Sequence, residues 1–479
     1  MIDSGYAQTI RLLPEILNRV ERRVSENERE AARKKFLDKV FPVYVDDITF
    51  TGFNQGQRNY LRRLFRFHPK KDSLSMDQIK RGYFRLVSED YFQNIYPNFL
   101  FKEDSKTFDF NITRRPQQNF QVDFGGTIAS RSISHLFLGL NFYSFNNILS
   151  HTYLSFQSGE FIKSATAKTR IQFPLYIPFY LEPEFNVTQR DYFSAKDLLI
   201  GKIRSTVLKR SDRNFSLHAG WPLGQKRKLV LNATFFDDTD RYSNALVYVS
   251  TDTLDILKLR GLKTGFEISR NSLNRKQYAS SGSSFSFSGY YYNAREIHLH
   301  GNTPNTTLNS QQESRAQHQW YRFQLKSEKY FPVNWFKAGY LLEGVFSNQD
   351  VFSNYMGTLI NIPGFYPLQD SRTLVLQNFR ALQYGVIGLR NVFGLAQKLD
   401  FRLEGYLFMP FQYLQKEKEM ARVVTGGFQA YLAATGNLVF HSPIGPISLS
   451  INYYDDPENR LGVLLHAGFL LFKPHPLGN

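Results

Sequence analysis

A hydrolase of the nucleophile-elbow type needs G-x-S-x-G, a strained strand-to-helix turn that exposes the serine hydroxyl. No such string occurs in the 479 residues. The nearest, SSGSSFSFSG at 280–289, lacks the spacing and lies in an alternating strand pattern. None of the ten histidines falls in H-E-x-x-H or another ligand spacing. His298 and His300 stand one residue apart in a stretch that reads as a long loop, where surface polarity accounts for them. Asp237, Asp238 and Asp240, and Asp455 with Asp456, offer carboxylate oxygens of the kind calcium takes. They read as turn residues, a setting aspartate favours for its own hydrogen bonding. Without cysteine, disulfides, thiolate metal sites and cysteine nucleophiles are excluded. There is no glycine-rich phosphate loop and no redox motif, so the expectation is no catalytic residue, no cofactor and no metal.

The elements around these residues are mostly strands. Lys and Arg number 59 against 42 Asp and Glu, a net charge of +17, and 44 Phe, 28 Tyr and 3 Trp make the chain 16% aromatic. Mean hydropathy is −0.38, and no run of 18 apolar residues occurs, which excludes a helical membrane protein. The basic residues scatter, with KKDSLSMDQIKRG and QKRK only local, so no nucleic-acid partner is expected. From Gln117 onward, apolar and polar residues alternate. Phe285, Phe287, Gly289 and Tyr291 alternate with Ser284, Ser286, Ser288 and Tyr290; Phe215, Leu217, Ala219 and Trp221 form a second set. Phe401, Leu403, Gly405 and Leu407 alternate with Arg402, Glu404 and Tyr406, and Ile447, Leu449, Ile451 and Tyr453 with Ser448, Ser450, Asn452 and Tyr454. One greasy and one polar face over so many strands fits a membrane barrel with a wet interior; a soluble sandwich or a basic nucleic-acid binder also alternates but exposes less aromatic surface.

Seventeen segments between Gln118 and Phe472 read as strands. Single-chain barrels close with an even number, so sixteen are expected, with the weak area at 150–260, around ALVYVSTDTLDILKLRG. Polar insertions at 294–318 and 348–378 read as extracellular loops, and HSPIGP and FPVN as periplasmic turns. The Tyr runs at 290–292 and 453–454 read as girdles at strand ends.

Ahead of the strands, residues 1–42 form an amphipathic helical lead-in, with Ile10, Leu13, Leu17 and Val20 at helical spacing. Residues 1–40 show no secretory signal, so a longer precursor is expected. Residues 43–115 read as a small βααββ domain, Ser75 capping its second helix. An exposed sheet edge there could take a partner strand. The fold expected is therefore mainly β: an antiparallel transmembrane barrel of about sixteen strands at 116–473, preceded by a small α+β domain and helices, and followed by a tail at 474–479.

Several stretches carry a family resemblance: VDDITFTGF at 45–53, NSLNRKQYASSG at 271–282, FYPLQDSRTLVLQNFRA at 365–381, FRLEGYLFMPF at 401–411 and SPIGPISLSINYYDDPENRLGVLLHAGFLLF at 442–472. Together they resemble one POTRA domain followed by a barrel of the BamA/TamA (bacterial surface antigen) superfamily, over about 43–473. More narrowly, the chain resembles the C-terminal portion of Bacteroidota patatin-like phospholipases, with MIDSGYAQTIRLLPEI similar to the last helix of a patatin domain. The resemblance implies a sixteen-stranded barrel in the outer membrane of a Gram-negative bacterium and a POTRA in the periplasm. It implies partners in lipid and lipopolysaccharide, and a passenger lipase with a Ser–Asp dyad. Asp3 has no serine partner here, so this chain alone is expected not to be an enzyme. The alternative is a free-standing assembly factor acting on unfolded barrel substrates. The superfamily's V-R-G-F loop tip corresponds to Ile362, Pro363, Gly364 and Phe365, with Pro in place of Arg; Glu404 is the candidate lumenal partner, and Arg372 or Arg380 the candidate substitutes.

Overall fold

The computed structural model describes residues 2–20, 24–38, 43–66, 73–92, 95–114, 118–175, 177–192, 208–224, 226–243, 253–301, 313–333 and 335–477. The chain divides into two compact units, Met1–Phe53 with Leu64–Arg115, and Asn54–Arg63 with Pro116–Asn479.

In the first unit, helices α1 (Ile2–Arg19) and α2 (Glu26–Leu37) come first. Ser25 and Glu28 form a reciprocal capping box that starts α2: the Ser25 N–H donates to the Glu28 carboxylate (3.0 Å) and the Glu28 N–H to Ser25 Oγ (3.3 Å). The apolar stripe Ile10, Leu13, Leu17 and Val20 is exposed. A four-stranded sheet follows, built from β1 (Tyr44–Thr51), β2 (Leu74–Ser75), β3 (Pro97–Lys102) and β4 (Thr107–Thr113) in the order β2-β1-β4-β3. β1 and β4 are parallel, and a bulge between Val45 and Asp47 shifts the alternation so that Val45, Ile48 and Phe50 all face the core. Helix α4 (Met76–Val87) belongs to this unit, whereas helix α3 (Gln55–Phe65) is counted with the second unit up to Arg63. The two-residue strand β2 is an addition to the expected βααββ pattern: it is too short to carry a periodicity. Phe65 packs on Phe50 and Phe110 (6.1 and 5.9 Å between ring centroids). Gly82 is required beside it, because a Cβ there would lie 2.3 Å from the Phe65 ring. β3 forms the outer edge of this sheet, with Leu100 and Phe101 exposed.

The second unit is a closed antiparallel barrel. Its staves are β5 (Phe120–Ala129), β6 (His135–Phe145), β7 (Leu149–Gly159), β8 (Ile162–Phe173), β9 (Phe179–Asp191), β10 (Leu208–Leu223), β11 (Arg227–Tyr242) and β12 (Asp255–Asn271). They continue as β13 (Ser283–Leu299), β14 (Glu313–Val333), β15 (Phe336–Ser347), β16 (Gln383–Ala396) and β17 (Leu399–Glu417); then, after the short β18 (Met420–Thr425), come β19 (Tyr431–Ser442), β20 (Gly445–Tyr454) and β21 (Leu461–Gly468). β17 pairs with β19 through Leu399–Phe408 and with β18 only through Gln412–Glu417, so β18 extends a hairpin beyond the wall. Seventeen strands thus give sixteen staves, and the surplus one lies at 420–425 rather than within 150–260. In the doubtful stretch, Asp255–Gly261 belongs to β12, while 244–252 lies outside the described residues.

The two faces differ as the alternation requires. Ile447, Leu449 and Ile451 are 40–59% exposed while Ser448, Ser450 and Asn452 are at most 2% exposed. A sandwich would bury its apolar faces against each other; here they form the outside of the closed wall. No described helix is long and apolar enough to cross a membrane.

Four expectations are corrected. Tyr290–Tyr292 lie within β13, not at its end: Tyr292 is buried in the lumen, stacked on Trp320 at 4.7 Å, and Tyr454 is likewise buried. A lumen this wide needs large side chains to fill it. Residues 294–299 are strand, so the insertion begins at 300, and 302–312 lie outside the described residues. The 348–378 insertion is packed inside the barrel, with Phe352, Ile360, Phe365, Leu374 and Leu376 all buried. Asp237, Asp238 and Asp240 are in β11, not in a turn, whereas Asp456 accepts the Glu458 and Asn459 N–H groups in the turn after β20. The last stave ends at Gly468.

Candidate functional site at the barrel seam and lumen

The barrel closes where β21 meets β5, through three residue pairs: His466 with Ala129, Ala467 with Ile128 and Gly468 with Thr127. The neighbouring β5–β6 and β20–β21 pairings have eight and seven. The seam is short because β21 leaves the wall at Gly468. This residue has φ +103°, and a Cβ on it would lie 2.1 Å from the Gly126 carbonyl oxygen, so only glycine allows the bend and the close approach together. The Thr127 hydroxyl donates to the Phe469 carbonyl at 2.5 Å and holds the chain as it turns away. From Phe120 to Gly126, β5 pairs with β6 on one side and has no β21 partner on the other. Phe124, in that stretch, is 79% exposed. An unpaired row of backbone groups on an apolar wall is a template for another strand.

Beyond Gly468, Phe469–Leu477 runs inside the lumen, held by its backbone. Gln157 of β7 donates to the Leu471 carbonyl (2.8 Å), Arg190 of β9 to Lys473 (2.9 Å), Lys263 of β12 to Pro476 (3.0 Å) and Arg322 of β14 to Leu477 (2.5 Å). His475 and Leu477 are buried, Leu477 in a cluster with Trp320, Phe352 and Leu464.

The segment between β15 and β16 fills much of the remaining interior. Its helix α5 (Tyr355–Asn361) is capped by Asn354, whose Oδ1 accepts the Gly357 N–H at 2.7 Å. Ile362, Pro363, Gly364 and Phe365 are buried. The Phe365 N–H donates to the Phe379 carbonyl (2.8 Å) and the Ala381 N–H to the Pro363 carbonyl (3.1 Å), a short ladder that holds the tip. The Phe365 ring lies parallel to Phe408 with 6.2 Å between centroids. Glu404 faces the lumen, but its charge is met from the wall: Arg402 at 2.8 Å, Arg390 at 3.7 Å and the Tyr406 hydroxyl at 2.5 Å. Arg380 instead donates to Tyr366 (3.0 Å) and to the Leu359 and Ile360 carbonyls (3.3 Å each), and Arg372 stands over the Tyr366 ring at 5.5 Å. The structure does not bring either loop arginine to Glu404.

The loop is tied to the wall with the charges reversed. Arg210 of β10 donates to the Ile360 carbonyl (2.9 Å) and Asn361 Oδ1 (2.6 Å), while Asp240 of β11 neutralises it (2.9 Å). Asp370 of the loop accepts from Arg131 at 2.7 Å, in the turn after β5, and from the Tyr454 hydroxyl of β20. Wall arginines grip the loop. Sequence reasoning missed Arg131, Arg210, Asp370 and Gly468. Arg210 and Asp240 share the lumenal parity of their strands, the one signal available, but their pairing depends on a register that a single sequence does not reveal. A cavity of about 350 Å³ remains in the lumen, lined by Tyr278, Tyr330, Arg390, Arg402, Glu404 and Asn437 among others.

No protein-family model matches the sequence, and no curated protein matches it at a significant level. Solved structures do. A crystal structure of BamA from Haemophilus ducreyi lacking POTRA domains 1–3 aligns over 89% of this chain and 85% of its own, with TM-score 0.55 and 15% identity. CdiB from Acinetobacter baumannii aligns over 89% of this chain and 74% of its own, with TM-score 0.47 and 10% identity. The chain therefore has the BamA-type fold, a closed sixteen-stave antiparallel barrel with a small α+β region before it.

Proposed function

We propose that the chain is an outer-membrane barrel of a Gram-negative bacterium, with the 43–115 domain acting as a periplasmic POTRA, and that it anchors or translocates a fused passenger of the patatin-lipase type. The seam supports this reading above all: three residue pairs close the wall, and seven residues of β5 beside them offer an open edge to an incoming strand. The exposed stripe on α1 and the exposed β3 edge are apolar surfaces suited to a passenger and to a partner strand. The buried-proline tip weighs against a role that depends on a tip arginine, and so favours the passenger reading over general barrel assembly.

Because the chain has no cysteine, a disulfide can be placed across the seam alone. Ile128→Cys with Ala467→Cys locks β5 to β21, and Leu449→Cys with Leu465→Cys locks β20 to β21 as the control. With a photoreactive phenylalanine analogue at Val122, outer-membrane fractions are expected to yield cross-links to an incoming polypeptide that the seam lock removes and the control lock does not. A captured chain bearing G-x-S-x-G supports the passenger reading, and capture of assorted barrel proteins supports the assembly factor instead. Equal capture with the seam locked overturns both. Failure to partition into the outer membrane, or migration insensitive to boiling, overturns the membrane assignment.

A further inference from the structure

Three metal-type donors converge where β12 begins and β13 ends, away from the seam. Asp255 and His298 are 3% and 0% exposed, and His300 is half-buried. One ligand atom from each lies within 4.8 Å of the other two, and the two imidazole rings meet edge-on with 4.3 Å between centroids. Both histidines lie at a strand end packed against other groups, unlike the exposed loop expected from the sequence.

The hydrogen bonding around His298 is unresolved without a cation. Asn354 is fixed in orientation, because its Oδ1 accepts the Gly357 N–H (2.7 Å) and the Tyr242 hydroxyl (2.8 Å). Its amide nitrogen therefore faces His298 Nε2 at 3.2 Å and donates to it, so Nε2 presents a lone pair. That lone pair stands 3.4 Å from Asp255 Oδ1, a second acceptor, and buried His298 Nδ1 has no partner among the described residues. A proton on Nε2 would satisfy Asp255 but would oppose the Asn354 N–H. A cation between the two acceptors takes the Nε2 lone pair in place of the Asn354 N–H and turns the repulsion between Nε2 and Asp255 into attraction. In a tetrahedral site with metal–ligand bonds of about 2.0–2.2 Å, neighbouring donor atoms stand about 3.4 Å apart. The Asp255–His298 separation already has this value, and the Gly301 N–H holds the carboxylate from behind at 3.1 Å.

We propose that Asp255, His298 and His300 form a binding site for a divalent transition metal of the Zn²⁺ class, with the fourth position open to water. Two imidazoles and one carboxylate suit such an ion better than Ca²⁺ or Mg²⁺, which take oxygen donors almost throughout. A bound ion ties β12 to β13, which carry Asp255 and His298.

The test is Co²⁺ titration of the purified full chain, without a polyhistidine tag, in detergent micelles, since Co²⁺ replaces Zn²⁺ and reports low coordination by its ligand-field absorption. The expected result is one saturable equivalent, displaced by Zn²⁺, with at least tenfold weaker binding in both Asp255→Asn and His300→Ala. Asn keeps the shape of Asp, and His300 is only half-buried; retained heat-modifiable migration verifies that each variant is folded. Absence of a saturable band in the unaltered chain, or binding by either folded variant as tight as the unaltered chain's, overturns the proposal.

Discussion

The β13–β14 and β21–β5 junctions belong to one wall, yet they are built to opposite ends. β13 and β14 share seventeen residue pairs, Ser283–Leu299 against Glu313–Lys329, and a cross-strand stack of Tyr292 on Trp320 backs them from inside. β21 and β5 share three, ended by a glycine bend. Every backbone group inside a bilayer must find a partner, so a wall with one short seam concentrates its opening there. Local opening free energy is expected to follow the pairing. In hydrogen exchange, the amides of Gln319–Leu325 exchange only with global unfolding, and those of Thr127–Ala129 exchange through local opening at a much faster rate. Uniform protection of the two would erase the contrast.

Substitutions sharpen it, beginning with the strong side. Trp320→Ala removes a ring that is 2% exposed and packs on both Tyr292 and Phe352. A truncation of this kind costs about 3–5 kcal/mol, measured by urea unfolding followed through heat-modifiable migration. Next, Leu325→Arg puts a charge on the outer face of β14 near its middle, at a cost of about 2–4 kcal/mol. Phe124→Arg, on the outer face of β5, is expected to cost less, because the unpaired edge beside it can fray and carry the charge toward water. Equal costs in the two variants would mean that β5 is held as firmly as β14.

Gly468→Ala tests the bend itself. A methyl group 2.1 Å from the Gly126 carbonyl, on a backbone at φ +103°, forces either strain or a straighter β21. Strain of this type costs about 1–3 kcal/mol, and exchange at Thr127–Ala129 should change while Gln319–Leu325 stays as it was. An unchanged seam would show that the bend does not set its length.

Much of the wall was legible in the sequence, because an outer apolar face and an inner polar one impose a period of two that Ile447, Leu449 and Ile451 display openly. What fills the barrel was not. Tyr292 and Tyr291 look alike in sequence, yet one packs inside and the other faces outward; aromatic character does not separate lipid from a lumen that needs filling. Residues 348–378 were read as a polar loop despite Leu359, Ile360, Leu374 and Leu376, whose burial depends on a cavity that exists only once sixteen staves have closed. The expectation of a loop tip at 362–365 came from the resemblance alone, and the groups that hold the loop, Arg210 and Asp370, have partners 30 to 239 residues away. Such pairs depend on strand register, and alternation specifies parity without register.

The smallest stability change is expected from ending the chain after Phe472. The deletion removes the Lys473, Pro476 and Leu477 carbonyls from Arg190, Lys263 and Arg322, together with the burial of Leu477. Burying one leucine contributes about 1.5–3 kcal/mol, but ordering each backbone residue costs about 1–2 kcal/mol, so releasing the described residues 473–477 offsets the loss and the net change is close to zero. The lumen is a different matter. Three cations that now meet peptide carbonyls would line a wider, wetter passage, and single-channel conductance in planar bilayers should rise, with a preference for anions. Because the same segment leaves the wall at Gly468, its loss should also speed exchange at Thr127–Ala129 and leave Gln319–Leu325 unaffected. Higher conductance with an unaltered seam would separate the two devices: the segment would then block the lumen without helping to close the wall.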